Sequence, residues 1–238
     1  MTDELAEPQA LVEVEHRVEL YQPRIGQMDE LMRQVDELYE RAIFGGEYDD
    51  LREADRALDV VEAALLLQRG RILHCRFLES GVEPPEELGY FERAAELYRG
   101  AGDDRGEALA RFWIGCFHQV VRDDNGTAVP FLTASVELSR TTGDDLTLSY
   151  ALRHLGVAAQ MSGNFPEARE LLEESTALRR TLGFTAGVAA NLVGLVYLAV
   201  AQNRPDDARA LADEAASLAA SAGAAKITEQ IEAARSRI

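Results

Sequence analysis

The sequence contains few of the residues that mark several common classes of protein. Its two cysteines, Cys75 and Cys116, form no C-x-x-C pair and have no flanking histidine cluster, which excludes a disulfide framework and a zinc-finger pattern. No apolar run reaches the roughly 18 residues of a membrane-spanning helix. The acidic N-terminus also lacks the basic start and apolar core of a secretory signal. These features predict a cytoplasmic protein.

Basic residues are also scarce. There are 24 Lys and Arg against 42 Asp and Glu, which gives a formal net charge of −18, and Lys226 is the sole lysine. Phosphate backbones and anionic lipids bind to clustered Lys and Arg, so we expect neither a nucleic-acid nor a membrane partner. The acidic balance serves solubility and also permits a basic protein partner. A hydrophobic fraction of 47% is that of a folded chain.

What the sequence does contain is an internal repeat. Related segments begin at Phe91, Phe131, Leu171 and Leu211, each 40 residues after the one before. Within each segment, large and small apolar positions follow one another at helical spacing and share one face. A glycine such as Gly143 follows each segment, where a left-handed turn can end the helix. Periods of roughly 20–50 residues are typical of solenoids and arrays.

The two ends of the chain depart from this pattern. Residues 1–26 are predicted to form a separate N-terminal arm, in which 10–21 fit a strand or a helix about equally. A strand would need a partner, so the arm would either pair with another chain, as in a homodimer, or dock on its own domain. A helix would instead cap the N-terminal end of the solenoid. We predict a helical repeat domain over 27–238, with helices over 28–44, about 49–61 and about 61–78. About residues 224–238 are predicted to form a capping helix.

The regular section resembles the tetratricopeptide repeat (TPR) family. Leu152-x-x-Leu155-Gly156-x-x-Ala159, followed by Ala168, matches the spacing of large and small residues in that family. The resemblance is good over about 105–220 and loose over about 28–104. The period is 40 rather than roughly 34, and the family's closing proline is absent. The longer form resembles sensor-type arrays attached to bacterial transcriptional activators. The resemblance implies an all-α, right-handed solenoid of about four to five antiparallel helix pairs.

In this family the first helices of the pairs line a concave groove that holds a partner peptide or helix. The resemblance then implies these groove residues, counted from Gly156: Tyr150, Arg153, Val157, Gln160, Val193, Tyr197 and Val200. The preceding unit has two possible registers. If Gly115 matches Gly156, the groove residues are Phe112, Cys116 and Gln119. If Cys116 matches Gly156, they are Leu109, Trp113, Phe117 and Val120.

No pattern in the sequence indicates a catalytic site, a metal site or a cofactor. His74, His118 and His154 lie on successive first helices, but none has a carboxylate at the spacing of helical metal motifs. The residues Asp123 to Gly126 lack the further ligands of a calcium loop. There is no phosphate-binding loop and no nucleophile elbow.

Two functions fit a partly apolar groove. The first is a non-enzymatic scaffold or regulator that binds a segment of another protein. The second is a small-molecule sensor, or an unusual enzyme, that uses the same groove as a hydrophobic pocket. A closed cavity with a buried His118 or His154 near Arg153 would favour the second.

Overall fold

A computed structural model describes residues 29–238, and the chain divides into two units, Met1–Leu58 and Asp59–Ile238. The arm predicted for residues 1–26, including the choice between strand and helix for 10–21, lies outside the described residues. The boundary between arm and repeat domain, and the homodimer through the arm, stay predictions.

In the first unit, residues 29–40 form helix α1, which continues into a π-helical turn, Arg41–Gly45. Gly46 ends the turn with a left-handed φ of 73°. The side chain of Arg41 donates a hydrogen bond to Asp50 across 3.2 Å. Helix α2 then begins at Leu51. A helix stopped by the paired glycines therefore forms as predicted.

Helix α2 runs without a break from Leu51 to Ser80, whereas the sequence predicted two helices that meet near Val61. That prediction was wrong because no glycine or proline interrupts the stretch from Ala57 to Leu67. The remaining helices are α3 (Glu87–Ala101), α4 (Asp104–Val120), α5 (Asn125–Thr142), α6 (Asp145–Met161), α7 (Phe165–Thr181), α8 (Thr185–Ala201), α9 (Pro205–Ser221) and α10 (Ala225–Arg235).

The second unit is a solenoid of helix pairs. Helices α4 and α5, α6 and α7, and α8 and α9 pack as successive pairs, and each second helix packs on the first helix of the next pair. Helix α10 packs against α8 and α9, as predicted for a C-terminal capping helix. The all-α solenoid fold is confirmed. None of the helices within residues 29–238 combines the length and the apolarity needed to cross a membrane.

The repeated small residues form the contacts between helices. Ala128, Ala168 and Ala208 occupy equivalent positions and are fully buried. The hydroxyl of Ser135 donates to the carbonyl of Ala108, and the hydroxyl of its equivalent Ser175 donates to the carbonyl of Ser149. A buried hydroxyl that has a partner avoids the cost of desolvation. Small side chains therefore let each second helix approach the first helix of its own pair closely.

The structure distinguishes the two registers for α4. A Cβ atom on Gly156 would lie 2.9 Å from Leu172 Cγ, and one on Gly115 would lie 2.7 Å from Leu132 Cγ. Because Leu132 and Leu172 are equivalent, Gly115 is the counterpart of Gly156. One extra residue is accommodated in the turn after α4, where Asp123 has a φ of 51°.

We expect Gly156→Ala to destabilise the fold by about 1–3 kcal/mol, because the added methyl group overpacks against Leu172. The matched control is Gly100→Ala in α3, where nothing lies within 4 Å of an added Cβ. The control should stabilise the fold by roughly 0.5–1 kcal/mol, since alanine favours a helix. Urea unfolding measures both, and equal effects at the two sites would contradict the packing described.

Candidate functional site: a cavity along the first helices

The second unit contains a cavity of about 830 Å³ on the side formed by the first helices of the pairs. Side chains of α2, α4, α6 and α8 line it, together with Arg179 of α7, Phe184 before α8 and Ile227 of α10. It follows α4 from Arg105 to Val120 and lies along the N-terminal parts of α6 and α8. Asp103 and Asp144, which cap α4 and α6 by accepting hydrogen bonds from Gly106 N and Thr147 N, fix these helix ends at one side of the cavity.

Four rings form an aromatic row in the wall of the cavity: Trp113, Phe112, Tyr150 and Phe184. The ring centres of Trp113 and Phe112 are 5.1 Å apart, those of Phe112 and Tyr150 are 5.4 Å apart, and those of Tyr150 and Phe184 are 6.0 Å apart. Tilted and stacked contacts at these distances stabilise aromatic pairs. The row therefore presents a continuous, preformed apolar surface.

Arg153 and Arg179 belong to the same wall, which the exposed Arg71 and Arg105 also line. Arg153 of α6 donates from Nη1 to the carbonyl of Ala190 at 2.8 Å. Arg179 is only 2% exposed, and its Nη1 donates to Gly187 O and Asn191 Oδ1, both at 2.8 Å. The guanidinium of Arg179 lies 5.0 Å from the ring centre of Tyr150 and 5.5 Å from that of Phe184. Burial, followed by the neighbouring charge of Arg153, lowers the pKa of Arg179 to about 10.

His154 lies beside Arg153 and is oriented by Gln119. The amide nitrogen of Gln119 donates to Asn125 Oδ1 and to the carbonyl of His154, so its oxygen is free to accept from His154 Nδ1 at 2.6 Å. That arrangement fixes the Nδ1-protonated tautomer and leaves Nε2 as an acceptor. Burial, then the charges of Arg153, Arg179 and His74, lowers the pKa of His154 to about 3. The imidazole is therefore neutral at physiological pH.

At the α2 side of the cavity, His74 connects a carboxyl group to a thiol. His74 Nδ1 lies 2.8 Å from Glu87 Oε1, and its Nε2 lies 3.8 Å from Cys116 Sγ. Burial raises the pKa of Glu87, while the hydrogen bond from His74 opposes that rise. Burial also raises the pKa of the Cys116 thiol to about 12. A thiol that stays protonated is a poor nucleophile, so this chain of contacts has the order of a catalytic triad without its activated sulfur.

The structure brings five of the sequence-predicted site residues together in the cavity wall: Phe112, Trp113, Cys116, Tyr150 and Arg153. Leu109 and Val120, from the alternative register, also line it, so residues of both registers contribute. Gln119 lies behind the wall as the partner of His154. Phe117 is fully buried in a separate cluster with Phe91 and Ile114.

The other predicted groove residues lie away from the cavity. Val157 and Gln160 belong to the C-terminal half of α6, beyond the lining residues. Val193 is buried, and Tyr197 and Val200 are partly buried, in the hydrophobic cluster that also includes Ile227 and Ile231 of α10. Of the three helical histidines, His74 and His154 line the cavity. His118 of α4 does not line it and stacks on Phe131 of α5.

Sequence reasoning missed Arg179, although the repeat contained a signal for it. One period before Arg179 stands Ser139, and one period after it stands Ala219, both fully buried. An arginine at a position that elsewhere holds a small buried residue must have a local set of partners. Asn191 departs in the same way from its equivalent Ala151, and these two exceptions contact each other.

Comparisons with known proteins support the fold. No family model matches the chain, and no curated protein matches it significantly. Among solved structures, the crystal structure of BtubC (BKLC) from P. vanneervenii is similar, with a TM-score of 0.50 and 18% sequence identity. The match covers 83% of this chain and 91% of that chain. The second unit is thus a helical repeat by its own packing and by likeness to a solved structure.

We expect His154 to make the fold sensitive to acid. Its folded-state pKa lies below the ordinary value of 6.5, so the unfolded chain binds the proton first as the pH falls. Its contribution to stability is therefore complete above about pH 6.5 and is lost progressively towards pH 3. Between pH 6.5 and pH 5 the loss should be about 1.5 kcal/mol, because the slope is half of roughly 1.4 kcal/mol per pH unit at pH 6.5 and approaches the full value near pH 5.

Urea unfolding of the natural protein and of His154→Gln at both pH values measures this contribution. The variant should lose less stability than the natural protein over the same interval, because glutamine does not titrate. An equal loss in the two proteins would contradict the assignment of a neutral His154 in the folded state.

Proposed function

We propose that this chain is a ligand-binding helical-repeat protein of the TPR type and that its cavity takes a small, largely apolar molecule. The observation that carries the proposal is the cavity of about 830 Å³ beside the aromatic row. Pockets of roughly 300–1,000 Å³ with apolar linings and few convergent polar groups are typical of small-molecule sites.

The polar groups in the wall suit the orientation of such a ligand. Arg153 and Arg179 provide hydrogen-bond donors, and His154 Nε2 provides an acceptor next to them. Phe112 and Tyr150 stack on each other, so the wall is formed before a ligand arrives. Preformed sites bind with a smaller cost in ordering.

The TPR assignment rests on the close helix packing at Gly115 and Gly156 and on the succession of helix pairs. In that family the first helices face the groove, and here they form the cavity. A cytoplasmic sensor or regulator is the role we propose, in which occupancy of the cavity controls another event.

A protein partner that inserts a segment into the same cavity is the second candidate. Leu78 and Leu146 line the cavity and remain largely exposed, at 64% and 43%. A partner larger than the cavity would cover these side chains, whereas a small molecule would leave them exposed.

We expect the neutral dye N-phenyl-1-naphthylamine to bind the protein saturably, with enhanced dye fluorescence and quenching of Trp113. Trp113 is the only tryptophan in the chain and lines the cavity, so its emission reports occupancy directly. The variant Ala190→Leu places a larger side chain in the wall and should weaken dye binding by at least about tenfold, since an overfilled site excludes the ligand.

The matched control is Ala177→Leu, which makes the same change at an exposed position of α7. It should bind the dye like the natural protein. Absence of saturable binding, or equal binding by the two variants, would contradict a ligand site in this cavity.

A further inference from the structure

Within residues 29–238, Arg153 and Arg179 differ from the other buried or partly buried arginines in having only neutral partners. Arg179 donates to a carbonyl, an amide oxygen and the hydroxyl of Ser149, and Arg153 donates to the carbonyl of Ala190 and, at 3.5 Å, to Asn191. Within residues 29–238, no carboxylate oxygen lies within 4.0 Å of either guanidinium. This absence stands out in a chain with 42 acidic residues against 24 basic ones.

Elsewhere in the described residues, other arginines form ion pairs with acidic side chains. Arg111, which is also partly buried, forms an ion pair with Glu107, and Arg105 at the cavity forms one with Asp144. The acidic residues of the lining, Asp103 and Asp144, are already engaged as helix caps. A buried cation without a counter-ion is costly, so the buried Arg179, with the partly buried Arg153 beside it, implies a partner that comes from outside the chain.

Both guanidinium groups retain free donors. Among the described residues, Arg153 Nε and Nη2 and Arg179 Nη2 form no hydrogen bond to protein. The bonds that do form hold Arg153 through Nη1 and Arg179 through Nη1 and Nε, and they keep Arg179 beside the rings of Tyr150 and Phe184. A fixed guanidinium with unused N–H groups is the usual receptor for a carboxylate.

We infer that the ligand is an organic acid with an apolar body, whose carboxylate lies against Arg153 and Arg179 while its body lies along the aromatic row. This inference rests on the proposed function and names the class of ligand for the same cavity. The net charge of −18 repels anions at long range, so an anion gains affinity only where this local pair of cations receives it.

The test compares 2-naphthylacetate with 2-naphthylacetamide as competitors that displace N-phenyl-1-naphthylamine. The two have the same apolar body and differ in the charge of the head group. The acid should displace the dye at a concentration at least about tenfold lower, because hydrogen bonds between charged groups are stronger than neutral ones.

Arg153→Gln should reduce this preference to about twofold or less. Its affinity for the neutral dye is measured beside it, so that a lost preference for the acid is distinguished from a lost cavity. Arg153→Lys keeps the positive charge and should retain part of the preference. The control is Arg140→Gln, which removes an exposed arginine that pairs with Glu174 and should change neither value.

The outcomes separate the two proposals. If the dye binds and the acid and amide compete equally, or if Arg153→Gln keeps the full preference for the acid, the organic-acid inference is overturned while the cavity stands. If neither dye nor acid binds, the proposed function fails.

A short peptide ending in phenylalanine, used as free acid and as C-terminal amide, provides a further comparison. If the free-acid peptide binds much more tightly than 2-naphthylacetate, the inference of a small organic acid is overturned, and the ligand is the C-terminal carboxylate of a peptide.

Discussion

The close approach of helices at small residues is the constraint on which the structure depends. Gly156 lets the carbonyl of Ala168 and the side chain of Leu172 come nearer than a methyl group would allow, and Gly115 does the same one repeat earlier. The contact occurs in the pairs α4–α5 and α6–α7, whereas Val196 stands at the equivalent position of the pair α8–α9, and the successive pairs stack on one another. The stacking places α4, α6 and α8 side by side, and side chains of all three helices line the cavity.

The interface between α6, α7 and α8 departs from this regular packing. Arg179 and Asn191 occupy positions that hold small residues in neighbouring repeats, and Ser149 and Ser175 add hydrogen bonds to this pair. A buried polar network with its partners in place is rigid and specifies one arrangement. Here it holds a positive charge at the edge of an aromatic surface, which the repeat pattern by itself does not require. We therefore propose that the ligand is recognised at Arg179, which departs from the repeat pattern together with Asn191.

Much of the fold could be predicted from the sequence, and less of the site. The period of 40, the glycines after the second helices and the capping helix follow from local rules of spacing and turn chemistry, and all are present. The site depends on where a helix face is left uncovered. Tyr197 and Val200 pack in a hydrophobic cluster that also contains residues of α10. Phe184, in the turn after α7, lines the cavity. Such contacts between distant segments leave no periodic signal, and Arg179 was visible only as a residue that breaks the pattern.

The central claim is that the cavity receives an apolar organic acid through Arg153 and Arg179. A crystal structure of the protein with 2-naphthylacetate tests it most directly. The account predicts a carboxylate at about 2.7–2.9 Å from guanidinium nitrogens of both arginines and a naphthalene ring against Phe112 and Tyr150. A ligand bound elsewhere, or one whose carboxylate points away from both arginines into solvent, would contradict the account.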